Sequence, residues 1–551
     1  MKPRVLAQAI LCMGALTATL HAGFAPSLRV DPASSALILR MCLAHDLTPP
    51  RGFWSQPMDA GSVLAFLDKV DSLGHAGVLS AQESYDVQGL RTLIVGRRRA
   101  SFIDTTHDRS IRGRAAGSGW IAPTYDGEGG VHVRGIIQPT LSGNLGALSF
   151  YSGVEVWTDY VSDSMYRASN YEPYDGVPYN LYGSRGTDSA HARSSDLFRA
   201  GIAYRGKRLD LESGVDYLRQ GPAVFYPLSF SGYAPPITYG RVRMDLGVLD
   251  YVQAFGILRS QRDKLKFLYT HRLELPLLRQ RATFGFSEMI VGGSTTNQQL
   301  PGSPDALRPQ YYGERRLVEW AYLIPFVPSK FVEHYVGDRD NGLISADLEV
   351  RWPRHLRWYG EFLIDDILSP WKIFTDDWGN KWGFTLGGQF MGTLLHHDVS
   401  ATVEYSRVEP WVYTHFYGGS HRYDNFNVCL GSPLGPNSDG LVLDFGTSLT
   451  KKNSVGIRFT NERRNPSARG GTITDVFQDS LYVYKDSTYV STHPDSEHKR
   501  FLGPGAIRSS RIGAWWKFSP FGGIYMTARC EYDFSPDVKA LFVYYEVGGR
   551  L

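Results

Sequence analysis

The sequence predicts an all-β transmembrane barrel of about 18 antiparallel strands, preceded by a small N-terminal α-helical segment. Three observations predict it. Past Arg112 the apolar residues recur with a period of two, and short and long connections take turns along the chain. Glycine (58 residues) and aromatics (13%) are abundant although only 42% of the 551 residues are hydrophobic, which suits strands with one apolar and one polar face. No run of about 18 apolar residues follows residue 25, so spanning helices are excluded. The 58 Lys+Arg stand against 55 Asp+Glu, a formal charge of +3 that leaves no excess to neutralise phosphates and so excludes a polybasic nucleic-acid binder. Charged residues at 21% and dispersed apolar positions argue against disorder.

In chain order, Met1-Lys2-Pro3-Arg4, the apolar stretch Val5 to Leu20 and a small-residue site at Ala22 or Ala25 read as a secretory signal peptide over residues 1–25. Ile10-Leu11 ahead of Cys12 lacks the small residue of a lipoprotein site. Cys42, Cys429 and Cys530 are odd in number and far apart, so they form neither a metal spacing nor a disulfide framework.

Residues 27–108 read as a helical unit. Asp31-Pro32 supplies an N-cap and first helical position before Leu37, Met41 and Cys42, and Pro49-Pro50 stops that helix. Val63, Phe66, Leu67, Val70 and Leu73 share one face of a second helix, which Gly74 and Gly77 end. Ser80 and Glu83 form a capping box ahead of Tyr85, Leu90 and Leu93. With so few apolar residues the unit leans on something larger.

Residues 112–551 read as the barrel. Leu148, Phe150, Val154, Val156 and Tyr160 share one parity, against Ser149, Glu155 and Asp159 on the other. Trp358 to Asp365, Val399 to Ser406, Ile524 to Phe534 and Ala540 to Val547 repeat the alternation. A soluble sandwich buries the apolar row and a membrane barrel shows it to lipid; connection lengths choose between them. Tight connections at Gly143-Asn144, Gly206-Lys207-Arg208, Leu277 to Arg281, Pro353-Arg354-His355, Gly392 to His397 and Lys451-Lys452-Asn453 alternate with long ones. The long ones run over Ser162 to Ser195, Gly221 to Thr238, Val291 to Asn341, Leu368 to Asn380, Pro410 to Asp439 and Asn465 to Ile507. Both termini then lie on the short-turn side, which requires an even strand count. Two further segments, near Ala115 to Thr124 and Tyr251 to Arg259, bring the total to about 18. A barrel of that size has an aqueous lumen unless something fills it. The helical unit, on the short-turn, periplasmic side, is placed to occlude that end.

Particular strings carry a resemblance. Tyr359-Gly-Glu-Phe-Leu-Ile-Asp-Asp366 preceded by Gly337-Asp-Arg-Asp-Asn341, and Tyr413-Thr-His-Phe416 followed by Gly431-Ser-Pro-Leu-Gly-Pro-Asn-Ser-Asp439, together with the helical start, are similar to the Wzi capsule-assembly family. The resemblance covers most of the mature chain. It implies an 18-stranded outer-membrane barrel with a periplasmic helical bundle and a lectin-like role in anchoring capsular polysaccharide. Leu551 departs from the terminal aromatic common in bacterial barrels, although Phe542, Tyr544 and Tyr545 lie nearby.

The long loops hold residues suited to sugars: Trp371, Asp376, Asp377 and Trp378 in one, and Trp411, Tyr413, His415, Tyr417 and Arg422 in the next, with Phe416, His421 and Tyr423 beside them. Aromatic faces stack on pyranose C–H faces, neighbouring polar groups bond the hydroxyls, and arginine pairs with uronate carboxylates. Tyr166, Tyr171, Tyr174, Tyr179 and Tyr182 have the same character, though aromatic girdles at a membrane interface need Trp and Tyr too. Asp365 and Asp366, adjacent on a strand, point to opposite faces and make a poor acid/base pair. A lumen charge network of Glu361 and Asp365 with Arg351, Arg357 or Arg407 is the reading preferred to catalysis or calcium at Asp338 and Asp340. Gly292-Gly293 and Gly470-Gly471 read as loop or turn signals. No cofactor, catalytic residue or metal site is expected.

These readings converge on a non-enzymatic barrel in the outer membrane of a Gram-negative-type cell, long loops extracellular and helices periplasmic. Its expected partners are capsular or extracellular polysaccharide, outer-membrane lipid and the barrel-assembly machinery, and not nucleic acid. A porin or polysaccharide export channel is the alternative, and a glycan hydrolase or lyase a third.

Overall fold

The computed structural model describes residues 27–28, 32–95, 101–104, 109–125, 130–161, 192–261, 264–294, 317–337, 340–366, 370–415, 418–477, 481–485, 488–492, 495–519, 524–536 and 539–550. The signal-peptide segment, Tyr166 to Tyr182, Asp338, Phe416, Tyr417 and Leu551 lie outside the described residues.

Three helices come first: α1 (Pro32–His45), α2 (Ala60–His75) and α3 (Ala81–Val95). The Asp59 carboxylate accepts the Ser62 N–H at 2.8 Å and caps α2. The capping box closes in both directions, with the Glu83 N–H donating to Ser80 Oγ at 3.1 Å and the Ser80 N–H to Glu83 Oε2 at 2.7 Å. α2 buries Val63, Phe66, Leu67 and Val70 as its spacing predicts. On α3 the buried row is Val87, Leu90 and Ile94, and Tyr85 stays exposed. Tyr85 is not on the row, because the helical repeat continues from Leu90 backward to Val87, not Tyr85. Ile38, Met41 and Cys42 of α1 and the Phe53, Trp54 and Met58 segment complete this core, which Met391 of the barrel joins. The helical unit does lean on the larger body: Arg40 reaches Asp398 at 2.8 Å, Arg51 reaches Asp250 at 3.1 Å, and Arg354 donates to the Ala44 carbonyl at 2.7 Å.

A closed antiparallel barrel follows. Its wall strands are β1 (Arg109–Tyr125), β2 (Gly130–Leu145), β3 (Leu148–Val161), β4 (Ala192–Arg205), β5 (Leu209–Asp216), β6 (Ile237–Asp245), β7 (Asp250–Gln261), β8 (Lys264–Leu277) and β9 (Ala282–Gly293). They continue as β10 (Asn341–Val350), β11 (Leu356–Asp366), β12 (Lys381–Leu394), β13 (His397–Val408), β14 (Ser438–Thr450), β15 (Asn453–Arg464), β16 (Ile507–Phe518), β17 (Ile524–Phe534) and β18 (Lys539–Arg550). β18 pairs back onto β1 and closes the ring, giving eighteen wall strands among the described residues. A short strand, Ser101–Asp104, pairs with the start of β1 beside the end of β18. The barrel sheet therefore reaches back into the segment assigned to the helical unit. The segments near Ala115 and Tyr251 fall within β1 and β7. Gly143-Asn144 is strand, the turn coming at Gly146-Ala147, and Gly292-Gly293 ends β9 instead of forming a loop.

Short connections gather at one end. Leu395-His396 joins β12 to β13 with φ of 50° and 67°, the pair of positive angles that a two-residue hairpin needs to match strand twist. The alternation also holds in space. On β11, Tyr359, Glu361, Leu363 and Asp365 face inward and are buried, while Trp358 faces outward. Outward residues such as Ile137, Val156, Leu386, Val403, Leu443 and Ile457 form an exposed apolar belt, the lipid-facing surface of a membrane barrel.

The lumen is not the uniformly polar interior that parity predicts. The loop from β5 to β6 turns inward, and its Arg219–Gln220 pairs on one side with Ser55–Gln56 of the N-terminal unit and on the other with Phe230–Ser231. The loop from β13 to β14 also enters. Leu228, Phe230, Val412, Tyr413, Tyr423 and Leu430 pack with inward-facing Leu258, Leu268, Met289, Leu343 and Leu363. Inward positions are apolar here because they face folded loop instead of water.

One long connection takes the opposite course. Residues 317–337, including helix α4 (Ser329–Val336), lie on the outer wall over β7 to β9. Outward-facing Glu288 accepts the Ser329 N–H at 2.9 Å, and outward Gln253 and His271 both reach the Tyr322 carbonyl. Trp320, Phe331 and Tyr335 stay exposed on the far side of this segment. It covers polar groups that would otherwise face hydrocarbon, and presents aromatics in their place.

Candidate functional site

Two carboxylates of the wall hold the inward loop by its backbone. Glu361 accepts the N–H of Ala223 at 2.8 Å and of Leu228 at 2.7 Å. Glu404, inward on β13, accepts the N–H of Val224 at 2.7 Å, Phe225 at 2.9 Å and Tyr226 at 2.6 Å, and the Tyr359 hydroxyl at 2.6 Å. Charge-assisted bonds of this kind are about twice as strong as neutral ones. The loop answers with Gly221, whose φ is +90° and whose missing Cβ would sit 2.3 Å from Glu361 Oε1. Tyr226 carries its hydroxyl to Glu462 at 2.8 Å, and burial together with that carboxylate pushes its ionisation well up. Asp365 accepts the Tyr413 N–H, and the Tyr413 hydroxyl donates to the Leu228 carbonyl at 2.9 Å, so the two inward loops hold each other.

This revises the expected charge network. Arg351 and Arg357 do share a carboxylate, but it is Glu349, which Arg357 Nε meets at 2.8 Å. Arg357 also lies 4.8 Å over Trp54, tying the network to the N-terminal unit. Glu361 and Asp365 bond backbone N–H groups because the returning loops supply donors in the lumen that no strand pattern announces. Arg407 stands opposite Phe384 on the outer face and is not pore-lining. Asp365 and Asp366 do point apart, Asp366 lying 3.7 Å from Lys381 at the rim.

At the long-loop end, described residues of the connections after β11, β13 and β15 knit together. Trp378 stacks on Phe477 at 3.5 Å with planes 6° apart, and Trp411 meets Phe477 edge-on at 5.3 Å. The Trp378 N–H donates to the Glu497 carbonyl at 2.8 Å, and His498 lies 3.2 Å from Asp376. Gly470 approaches Trp411 so closely that a Cβ would meet its ring at 2.6 Å, with φ of +75°, so only glycine fits.

The predicted sugar-binding residues therefore divide. Trp371 is 95% exposed, Asp376 is open beside His498, and Trp378 is half-buried with its ring backed by Phe477. Trp411 and Tyr413 are buried, and Arg422 is tied to Asp424 at 3.3 Å. These three hold the loop and do not offer a face to a ligand, because the loop that carries them folds inward. His415 stacks on His421 at 5.1 Å, and desolvation holds its ring well below the usual histidine range. Asp377 accepts the Gly379 N–H at 2.9 Å and shapes the turn. Sequence reasoning missed Phe477, His498 and Arg469. Arg469 is gripped by Asp495, which raises its ionisation further, and lies 5.7 Å over Trp411. Among the described residues, no group of three or more His, Cys, Asp or Glu could hold a metal ion.

The open surface is thus a platform of Trp371, Asp376, His498 and Arg469, an exposed indole with both donors and acceptors for hydroxyls, whereas the Trp378 ring is covered by Phe477 and has the Lys381 ammonium over it at 5.3 Å.

The fold has solved counterparts. The chain is similar to Wzi of Escherichia coli, described as an outer-membrane protein involved in group 1 capsule assembly and a carbohydrate-binding β-barrel, with a TM-score of 0.58 and 12% identity over 96% of this chain and 99% of that one. OccAB2 of Acinetobacter baumannii aligns over 80% of this chain and 98% of its own, with a TM-score of 0.42 and 9% identity. OpdK of Pseudomonas aeruginosa, solved with vanillate, covers the same shares with a TM-score of 0.44 and 9% identity. No family model matches the chain, and no curated protein matches it in sequence. At this identity the likeness is one of fold: the chain folds as an outer-membrane-type β-barrel.

Proposed function

We propose that this protein is a non-enzymatic outer-membrane barrel that binds surface polysaccharide on the platform at its long-loop end. The observation that carries the reading is the filling of the lumen: Glu361 and Glu404 together hold five backbone N–H groups of the inward loop, and the same loop is hydrogen-bonded to the N-terminal unit. A loop held there narrows the lumen and favours the loop end as the place for binding. Short turns lie in the periplasm and long loops outside in bacterial barrels, which puts α1 to α3 in the periplasm and the platform at the cell surface. The carbohydrate-binding description of the structurally similar capsule-assembly barrel points the same way.

The test is titration of the purified protein with a panel of capsular and exopolysaccharide fragments, alongside a gene deletion scored for polymer shed into the medium. Binding of at least one acidic polymer and loss of surface retention are expected. Absence of binding across the panel with unchanged retention rejects the reading. The porin alternative has one observation in its favour: on β16 and β17 the inward Arg511 and Arg529 keep side-chain exposures of 42% and 44% beside Asp533 and Glu531. Planar-bilayer recording separates the two, with large steady conductance expected only of a porin.

A further inference from the structure

We propose that the outer wall over β13 to β16 is a binding site for a phosphate-bearing lipid of the outer leaflet, with the phosphate at a row of arginines on the rim and the acyl chains in an apolar groove beneath. Arg407, Asp439, Arg463 and Arg508 stand directly opposite one another on four consecutive strands. Their parity is that of outward Val403, Leu443, Phe459 and Ile512, four positions further along the same strands, so the row lies on the lipid side.

The row is charge-unbalanced. Asp439 is gripped by Arg463 and accepts the Tyr405 hydroxyl at 3.1 Å, and Arg407 turns to Glu409 at 2.6 Å with its guanidinium 3.8 Å over Phe501. Lys499 reaches the same Glu409 at 3.1 Å. Four cations thus face three carboxylates, Asp439, Glu409 and, beside Lys499, Asp377. Arg463 and Arg508 are cross-strand neighbours of like charge, an arrangement that repels unless an anion sits between them. With the Asn461 amide turned so that its oxygen faces Arg508, that neutral oxygen accepts from Arg508 at 2.9 and 3.2 Å. Arg463 keeps 47% of its side chain exposed, so it is open to a ligand.

Below the rim, on the same face, runs a groove of about 480 Å³ lined by Ala401, Val403, Leu443, Phe445, Ile457 and Ile512. Its centre lies roughly 13–20 Å from the arginine row at about 3.3 Å per residue, a separation that suits a headgroup and its chains. Arginine is the side chain matched to bidentate phosphate binding, and at this level it also snorkels to the interface. An anionic lipid satisfies both halves, whereas a free anion satisfies only the row. The inference rests on the chain being a membrane barrel with its long loops outward.

The full chain in neutral-detergent micelles is titrated with a phosphorylated diglucosamine lipid and with its dephosphorylated counterpart, read by native mass spectrometry. The phosphorylated lipid is expected to bind at least about tenfold more tightly, and the gap to collapse in R463Q/R508Q. Ala401→Phe, which fills the groove and leaves the arginines alone, should weaken both lipids alike. Equal binding of the two lipids by the parent protein, a gap that survives R463Q/R508Q, or displacement of the lipid by millimolar inorganic phosphate, which would mean an adventitious ion only, each overturns the proposal. Heat-modifiable migration certifies that the variants are folded. A parent chain that fails to enter micelles overturns the membrane reading itself, a result distinct from equal lipid binding.

Discussion

Glu361 accepts the backbone N–H of Leu228 at 2.7 Å, and through that bond a strand of the wall holds a loop in the lumen. Removing the carboxylate strands buried N–H donors, each at a cost of about 1–3 kcal/mol. Glu361→Ala combined with Glu404→Ala should release residues 217–236 and raise single-channel conductance in planar bilayers well above the parent. Conductance unchanged from the parent would show that the loop does not close the pore.

The N-terminal unit meets the same inward loop, Ser55–Gln56 pairing with Arg219–Gln220. Excising residues 27–108 is expected to raise conductance while the barrel keeps its heat-modifiable shift on electrophoresis. A truncated barrel with the parent's conductance would reject the plug role.

Trp371 and Trp411 should behave oppositely. Trp371→Ala removes an exposed ring and is expected to lower glycan affinity severalfold, as loss of one stacking contact of about 0.5–1.5 kcal/mol requires, with the melting curve unchanged. Trp411→Ala empties a packed site and should cost about 3–5 kcal/mol of stability. Calorimetry and glycan titration on the two variants distinguish a contact residue from a loop-holding one.

Acid should loosen the helical unit. Burial raises the Glu83 carboxyl, but the Ser80 N–H and His45 outweigh it, and the net result lies below the ordinary glutamate value. A carboxyl depressed in the folded state contributes stability above its unfolded pKa of about 4.3, and that stability is lost as pH falls through the folded value. The hydrogen-exchange protection factors of α3 should therefore fall as pH drops below about 4, and Glu83→Gln should flatten that dependence. An α3 protected equally at pH 3 and pH 7 would remove the capping box as its anchor.

The Leu395-His396 turn invites stabilisation. Both residues hold positive φ, which costs a branched side chain about 1 kcal/mol or more that asparagine and glycine avoid. L395N/H396G should raise the unfolding midpoint in denaturant, and a lowered midpoint would show that the turn is not strained.

Much of the architecture was legible from residue order. Alternation in Leu148 to Tyr160 and Trp358 to Asp365 marked strands, because a period of two is forced by the pleat whatever surrounds it. Connection lengths marked which end carries the loops, and the Ser80 and Glu83 spacing marked a helix start, since both are local. The candidate site was half legible. Trp371 and Asp376 lie open as expected, yet Trp411, Tyr413 and Arg422 of the neighbouring loop do not, and Phe477 and His498 arrive from a connection that carried no motif.

What residue order alone determined, then, is the wall: strand number near eighteen, the face each side chain takes, and a helical unit at the short-turn end. What only the tertiary structure decided is the course of the loops. Those carrying Leu228 and Tyr413 turn inward and the one carrying Ser329 lies outside. The physical reason is that an inward carboxylate such as Glu361 reads the same along the chain whether water or a backbone N–H from another loop satisfies it. Only closure of the barrel brings Leu228, far away in sequence, within hydrogen-bond reach of it.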